Sequence, residues 1–131
     1  MTDRFQPLGR LKTRSEFLYV RDGVYRAIGG VVVQMRPRSP QAAPETLIHA
    51  QRQAQASIRI GFTATKKIGN AVTRNRAKRR LREAARTLLP EYGHPGCDYV
   101  LIARASTVHK NYTGLLADVK KALLSLPQIS P

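Results

Sequence analysis

The stretch from Asn70 to Pro90 constrains the fold more than any other part of the chain. Asn is a favoured helix N-cap because its side chain accepts a hydrogen bond from a free first-turn amide, and Pro cannot continue a helix. A helix is therefore predicted from Ala71 to about Leu89. At about 100° per residue, Ala77, Leu81, Ala84, Ala85 and Leu88 fall on one stripe that can pack on a sheet. The remaining faces are left to solvent or to a partner.

Those faces are almost wholly cationic. Arg74, Lys78 and Arg82 step along one flank, Arg76 and Arg80 along the other, and Arg79 and Arg86 point away from the stripe. With Lys66 and Lys67 just before the helix, the segment holds nine cations against Glu83 alone, which is +8 of the chain's total of +15. A solvated helix face normally mixes Glu with Lys at i, i+4 spacing; here the opposite sign is nearly missing, and self-repulsion is relieved only by a polyanion. Arginine forks suit two-point contact with phosphate, so the segment reads as a phosphate-binding surface. Asn75, between two arginines, is a mediocre interior helix former; it either makes a polar contact there or is simply solvated.

The rest of the chain supplies the sheet. Thr13-Arg-Ser-Glu16 matches a capping box, and Phe17, Val20 and Val24 follow at helical spacing. Arg21-Asp22-Gly23 ends the helix by Asp22, with Gly23 expected in a left-handed cap. Residues 26 to 36 read as one strand around Val31-Val32-Val33, with a bulge or close approach at Gly29-Gly30. Ser57 to Thr65 alternates as a half-buried strand, with Ile58, Ile60, Phe62 and Ala64 on one face, and Asp98 to Arg104 reads as a more buried one. Asn111 caps a last helix with Tyr112, Leu115, Leu116, Val119 and Leu123 on its stripe, stopped by Pro127. The expected order is helix, strand, strand, helix, strand, helix, in one domain spanning residues 1–131. Residues 37–56 form a flexible connection and 127–131 a tail.

Composition excludes several classes of function. No run of about 18 apolar residues exists and the N-terminal stretch has no apolar core, so the chain reads as a cytoplasmic protein with no membrane partner. Cys97 has no partner for a disulfide and reads as a buried structural thiol. His49, His94 and His109 lie far apart, so no metal site is expected, and no catalytic motif or obvious acid/base pair is present. No catalytic residue is assigned.

The run Lys66-Lys67-Ile68-Gly69-Asn70-Ala71-Val72-Thr73-Arg74-Asn75-Arg76-Ala77-Lys78-Arg79-Arg80-Leu81-Arg82-Glu83, with Arg59-Ile60-Gly61-Phe62 before it, closely resembles the signature of the bacterial ribonuclease P protein subunit. More loosely, Arg10-Leu11-Lys12, Glu16-Phe17, Asp98-Tyr99-Val100 and the final helix fall in the family's order. The resemblance implies a two-layer α/β (α+β) sandwich with an uncommon left-handed crossover, against the usual hand. It also implies an accessory role in an endoribonuclease whose catalytic RNA, using Mg2+, removes the 5′ leader of precursor tRNA. The implied partners are that RNA and precursor tRNA, with no organic cofactor and no DNA.

Carried over by position, Lys66, Lys67, Arg74, Asn75, Arg76, Lys78, Arg79, Arg80, Arg82 and Arg86 are the implied RNA-binding residues, and Phe17, Arg21, Arg59 and Lys67 the leader-binding ones. Phe17 matches a leading aromatic of the family, for stacking on an unpaired base or for plain core packing. Arg21 and Gln34 stand where some relatives carry aromatics, which shifts leader contact toward charge and hydrogen bonds. The competing reading, a ribosomal or general RNA-binding protein with no processing role, shares the charge but does not account for the motif.

Overall fold

The computed structural model describes residues 8–38 and 58–127. The expected connection over 37–56 falls outside them apart from Pro37 and Arg38, and the expected tail apart from Pro127. The elements are β1 (Leu8–Arg10), α1 (Arg14–Arg21), β2 (Val24–Ile28), β3 (Val31–Pro37), β4 (Ile58–Thr63), α2 (Ala71–Tyr92), β5 (Cys97–Ala103) and α3 (Tyr112–Ser125). Five strands form one mixed sheet in the order β1-β4-β5-β3-β2, with β1, β4 and β5 parallel and β2 and β3 antiparallel to their neighbours.

Alternation along the strands divides the molecule into two cores. Ile58 and Ile60 on β4, Tyr99 and Leu101 on β5, and Val31, Val33 and Met35 on β3 face α2 and α3. There they meet the predicted stripe, with Ala77, Leu81, Ala84 and Ala85 all at 1% exposure or less. Each such leucine contributes about 1.5–3 kcal/mol of burial, so this side carries most of the fold's stability. The other face is covered in part by α1, through a small cluster of Leu11, Val20 and Val100 with Phe17, Tyr19 and Ile102 against it.

Polar contacts fasten α1. The Thr13 hydroxyl accepts from the Glu16 amide at 3.3 Å, while the Glu16 carboxylate accepts from the amides of Lys12 at 2.6 Å and Thr13 at 3.0 Å. Those amides, helped by Arg59, hold the Glu16 carboxyl below the ordinary carboxylate value. The Tyr19 hydroxyl donates to the Pro37 carbonyl at 2.5 Å, and the Arg36 guanidinium lies 4.0 Å over the Tyr19 ring.

Several expectations are corrected. Residues 26–36 form two antiparallel strands joined at Gly29-Gly30, because Gly29 takes φ 50°, the positive first position of a two-residue hairpin turn. Two consecutive glycines signal a reversal as readily as a bulge, and only strand pairing separates the two. β1 was not anticipated; three residues, Leu-Gly-Arg, are too short to show a period, and parallel pairing to β4 creates the strand. Gly23 is not left-handed; it is small because a Cβ there would collide with the Met35 carbonyl. Pro90 does not end α2, which continues to Tyr92, since a proline in the last turn forfeits a single backbone bond. Cys97 is buried as expected, and burial pushes its thiol up to about 11.

Candidate nucleic-acid interface

α2 is aimed by its N-terminal junction. A short 3-10 turn at Lys66–Ile68 leads to Gly69 at φ 148°, where the backbone swings from the end of β4 into the helix. The Asn70 side chain then accepts from the Thr73 amide at 2.9 Å. The two lysines are thereby set, exposed, beside the positive end of the helix dipole. Nothing acidic lies in the first turn to offset them.

The cations of α2 divide by what answers them. Among the described residues, Lys66, Lys67, Arg74, Arg76, Lys78, Arg79 and Arg82 form no ion pair with any carboxylate. Asn75 is exposed between two of them, and the buried Nε of Arg74 has no hydrogen-bond partner. Arg86 pairs with Glu83 at 3.0 Å. Arg80 turns inward and donates to the carbonyls of Thr107 at 3.0 Å and Val108 at 2.6 Å, tying α2 to the loop before α3. Its guanidinium serves the fold, which the helical wheel could not reveal.

Arg59, expected on the leader side, is also committed. Its guanidinium donates to Asp98 at 2.9 and 2.6 Å and to Glu16 at 3.1 Å. Asp98 is fully buried and takes a second cation, Arg38, at 2.5 Å. The Asp98 contact raises the Arg59 pKa. Arg59 thus crosslinks α1 to the sheet.

Phe17 meets the basic flank of α2 at a cavity of about 680 Å3 on the β1 edge of the sheet. Lys78, Arg82 and Arg86 line it from α2, Phe62 and Gly61 from β4, and Phe17 from α1. Gly61 is what lets the aromatic ring in, since a Cβ there would fall 2.5 Å from the Phe17 ring carbons. Arg82 stacks over the Phe62 ring at 5.5 Å. Arg21 and Lys67 are exposed but do not line this cavity.

Two further arginines were not among the expected site residues. Arg10 lines the cavity from β1, an element the pattern did not show. Arg104 is exposed just past β5, and the pairing of Thr63 with Ile102 carries it to the level of Thr65, next to the lysine pair in sequence. Only strand register could have found it. The described residues hold no cluster of His, Cys, Asp or Glu suited to a metal ion, and no helix among them is long and apolar enough to cross a membrane.

A family model described as Ribonuclease P matches residues 5–126 of the chain. The chain belongs to the ribonuclease P protein family. It is 46% identical over 122 residues to the ribonuclease P protein component of Ruegeria pomeroyi, covering 92% of this chain and 88% of that one. It is 47% identical over 117 residues to that of Caulobacter vibrioides, covering 89% and 70%. Among solved structures, the RNase P protein from Thermotoga maritima superposes with a TM-score of 0.68 at 22% identity, over 91% of this chain and 98% of that one. The Staphylococcus aureus RNase P protein gives 0.66 at 22%, over 88% and 92%. The chain is therefore a protein subunit of ribonuclease P, the accessory part of an RNA-based enzyme, and its partner is RNA. Its mixed five-stranded sheet with three helices is the fold of those structures.

Proposed function

We propose that this chain, acting as one domain in the cytoplasm, binds the catalytic RNA of ribonuclease P and the 5′ leader of precursor tRNA, and so assists removal of the leader. The observation that carries this is the carboxylate-free run of cations from Lys66 to Arg82, in a protein whose buried carboxylate, Asp98, is met by two arginines. Lys66, Lys67, Arg74, Asn75, Arg76, Lys78, Arg79 and Arg82, with Arg86 at the cavity rim, take the phosphates of the catalytic RNA. Phe17 faces the leader, with Arg21, Lys67 and Arg104 as the charges beyond the cavity. Arg59 and Arg80 support the site from behind, a reading that rests on the ion pairs and carbonyl contacts above.

In this reading Mg2+ is held by the RNA. Among the described residues Glu16, Glu83, Asp98 and Asp118 each already face a cation of the protein itself, and the remaining two carboxylates, Asp22 and Glu91, belong to no cluster that could hold a metal ion. What the chain supplies is positive charge that lowers the repulsion between leader and catalytic RNA, so that less Mg2+ is required for docking. Purified chain added to its partner RNA should raise precursor-tRNA cleavage most strongly at low Mg2+ concentration. Cleavage that stays the same across a Mg2+ titration would sink the assignment, and co-purification with ribosomal subunits would favour a general RNA-binding role.

A further inference from the structure

The sheet ends in β2 on the side away from the cavity, and β2 pairs with β3 alone. The two-residue turn at Gly29-Gly30 makes Ile28 and Val31 a hydrogen-bonded pair, and by alternation Arg26 with Val33 and Val24 with Met35 as well. The backbone N–H and C=O groups of Tyr25 and Ala27 therefore point out of the sheet. Among the described residues no backbone group bonds to them there. A side chain reaches this row instead. The Arg26 guanidinium donates to the Tyr25 carbonyl at 2.8 Å and, through Nε, to the Ser125 carbonyl at the end of α3 at 3.2 Å.

The surroundings select what fits this edge. Asp118 accepts from the Gly30 amide and Ser125 holds Arg26, so α3 lies along β2 on one face of the sheet. Lys121 is one helical turn from each of them and is exposed on the same side. Asp118 is met by Lys110, whereas neither Arg26 nor Lys121 meets a carboxylate among the described residues. Val24 and Tyr25, 38% and 62% exposed, add apolar surface on the two faces of the strand. A second copy paired antiparallel through β2 would bring both Arg26 side chains onto one face and press two chains of +15 together. RNA would use the cations but not a row of strand donors and acceptors.

We propose that the β2 edge takes up an extended acidic segment of another protein as a sixth strand. Its main chain bonds to Tyr25 and Ala27, and its carboxylates on the α3 side meet Arg26 and Lys121. Arg26 is then both guard and receptor. An inward-pointing charge on an edge strand discourages pairing with an uncharged strand, and a segment that supplies the counter-charge draws the guanidinium off the Tyr25 carbonyl. The segment docks at the opposite edge of the sheet from the cavity, so it does not compete for that site.

The test is a titration of the isotope-labelled full chain with a capped peptide alternating Glu with Thr, read through the resonances and hydrogen exchange of the Tyr25 and Ala27 amides. Both amides should shift and exchange more slowly. The same peptide with Lys in place of Glu, and the Glu peptide with its backbone N-methylated, should leave them unchanged. Arg26→Gln and Lys121→Gln should each weaken binding about threefold. Lys121, being exposed, supplies a variant whose folding does not depend on the Arg26 contact to Ser125. Amides that ignore the Glu peptide, or respond equally to the Lys or N-methylated one, overturn the proposal, as does binding that neither variant weakens. Amides that shift with chain concentration alone, together with a dimer in sedimentation, overturn it in favour of a second copy. Equal shifts with oligouridylate overturn it in favour of RNA.

Discussion

Arg59 and Arg79 are the same residue put to opposite uses. Arg59 sits between a fully buried carboxylate, Asp98, and a capping one, Glu16, and ties α1 to the sheet. Arg79 stands exposed on α2 with no carboxylate paired to it among the described residues. The charge on both is identical; what differs is the supply of anions within reach. Around Asp98 the protein provides its own counter-charge and gains crosslinks. Along α2 it withholds counter-charge, and in the proposed function gains affinity for RNA at the cost of self-repulsion.

The largest expected effect comes from breaking the paired side. Asp98→Ala leaves Arg38 and Arg59 without their shared carboxylate, and stability should fall by about 3–5 kcal/mol in a urea titration. The salt dependence of RNA binding by the protein that remains folded should not change. A loss below about 1 kcal/mol would mean that the buried cluster is not what holds α1 down.

Next in size is the unpaired side. Replacing Arg76 and Arg79 together with Ala should leave stability within about 0.5 kcal/mol, because both are exposed and pair with no carboxylate among the described residues. The same change should flatten the dependence of log affinity on log salt by roughly 0.7–0.9 per lost phosphate contact. An unchanged slope would show that these arginines do not touch RNA.

Arg80 tests the boundary between the two behaviours. Although it sits on the basic helix, Arg80→Ala should cost about 1–2 kcal/mol by releasing the Thr107 and Val108 carbonyls, with little change in salt slope. If the slope falls as it does for Arg79, then Arg80 belongs with the RNA contacts after all.

The smallest effect is one of pH. The Glu16 carboxyl is held low by the Lys12 and Thr13 amides and by Arg59, so its contribution is present above the ordinary glutamate value and is lost as pH falls through the lower folded-state value. Glu16→Gln should cost under about 1 kcal/mol at neutral pH and make the acid limb of the stability curve shallower. Equal acid sensitivity in the variant would assign that limb elsewhere, with Asp118 next in line. Burial works against the Asp118 carboxylate, but Lys110 and the Gly30 amide outweigh it and lower its pKa.

Local rules made much of this legible. The caps Thr13, Asn70 and Asn111 all hold the hydrogen bonds their residue types announce, and the α2 stripe is buried where periodicity placed it. The limits were equally physical. The hairpin at Gly29-Gly30 and the short β1 depend on pairing between distant segments, which leaves no local period. Asp98 read as the start of a strand, and nothing in its neighbours announced that Arg38 and Arg59 would converge on it.

By itself the sequence determined where the positive charge is concentrated, which helix presents it, and to which family the pattern is similar, because caps, periods and charge runs act over a few residues. The tertiary structure alone decided which cations meet a carboxylate of the protein among the described residues and which do not, since ion pairing depends on distances of about 3 Å between residues tens of positions apart. It also decided that Phe17, Phe62 and Arg82 share one cavity at the β1 edge of the sheet. That juxtaposition follows from the packing of α1 and α2 on opposite faces of the sheet, which no single segment encodes.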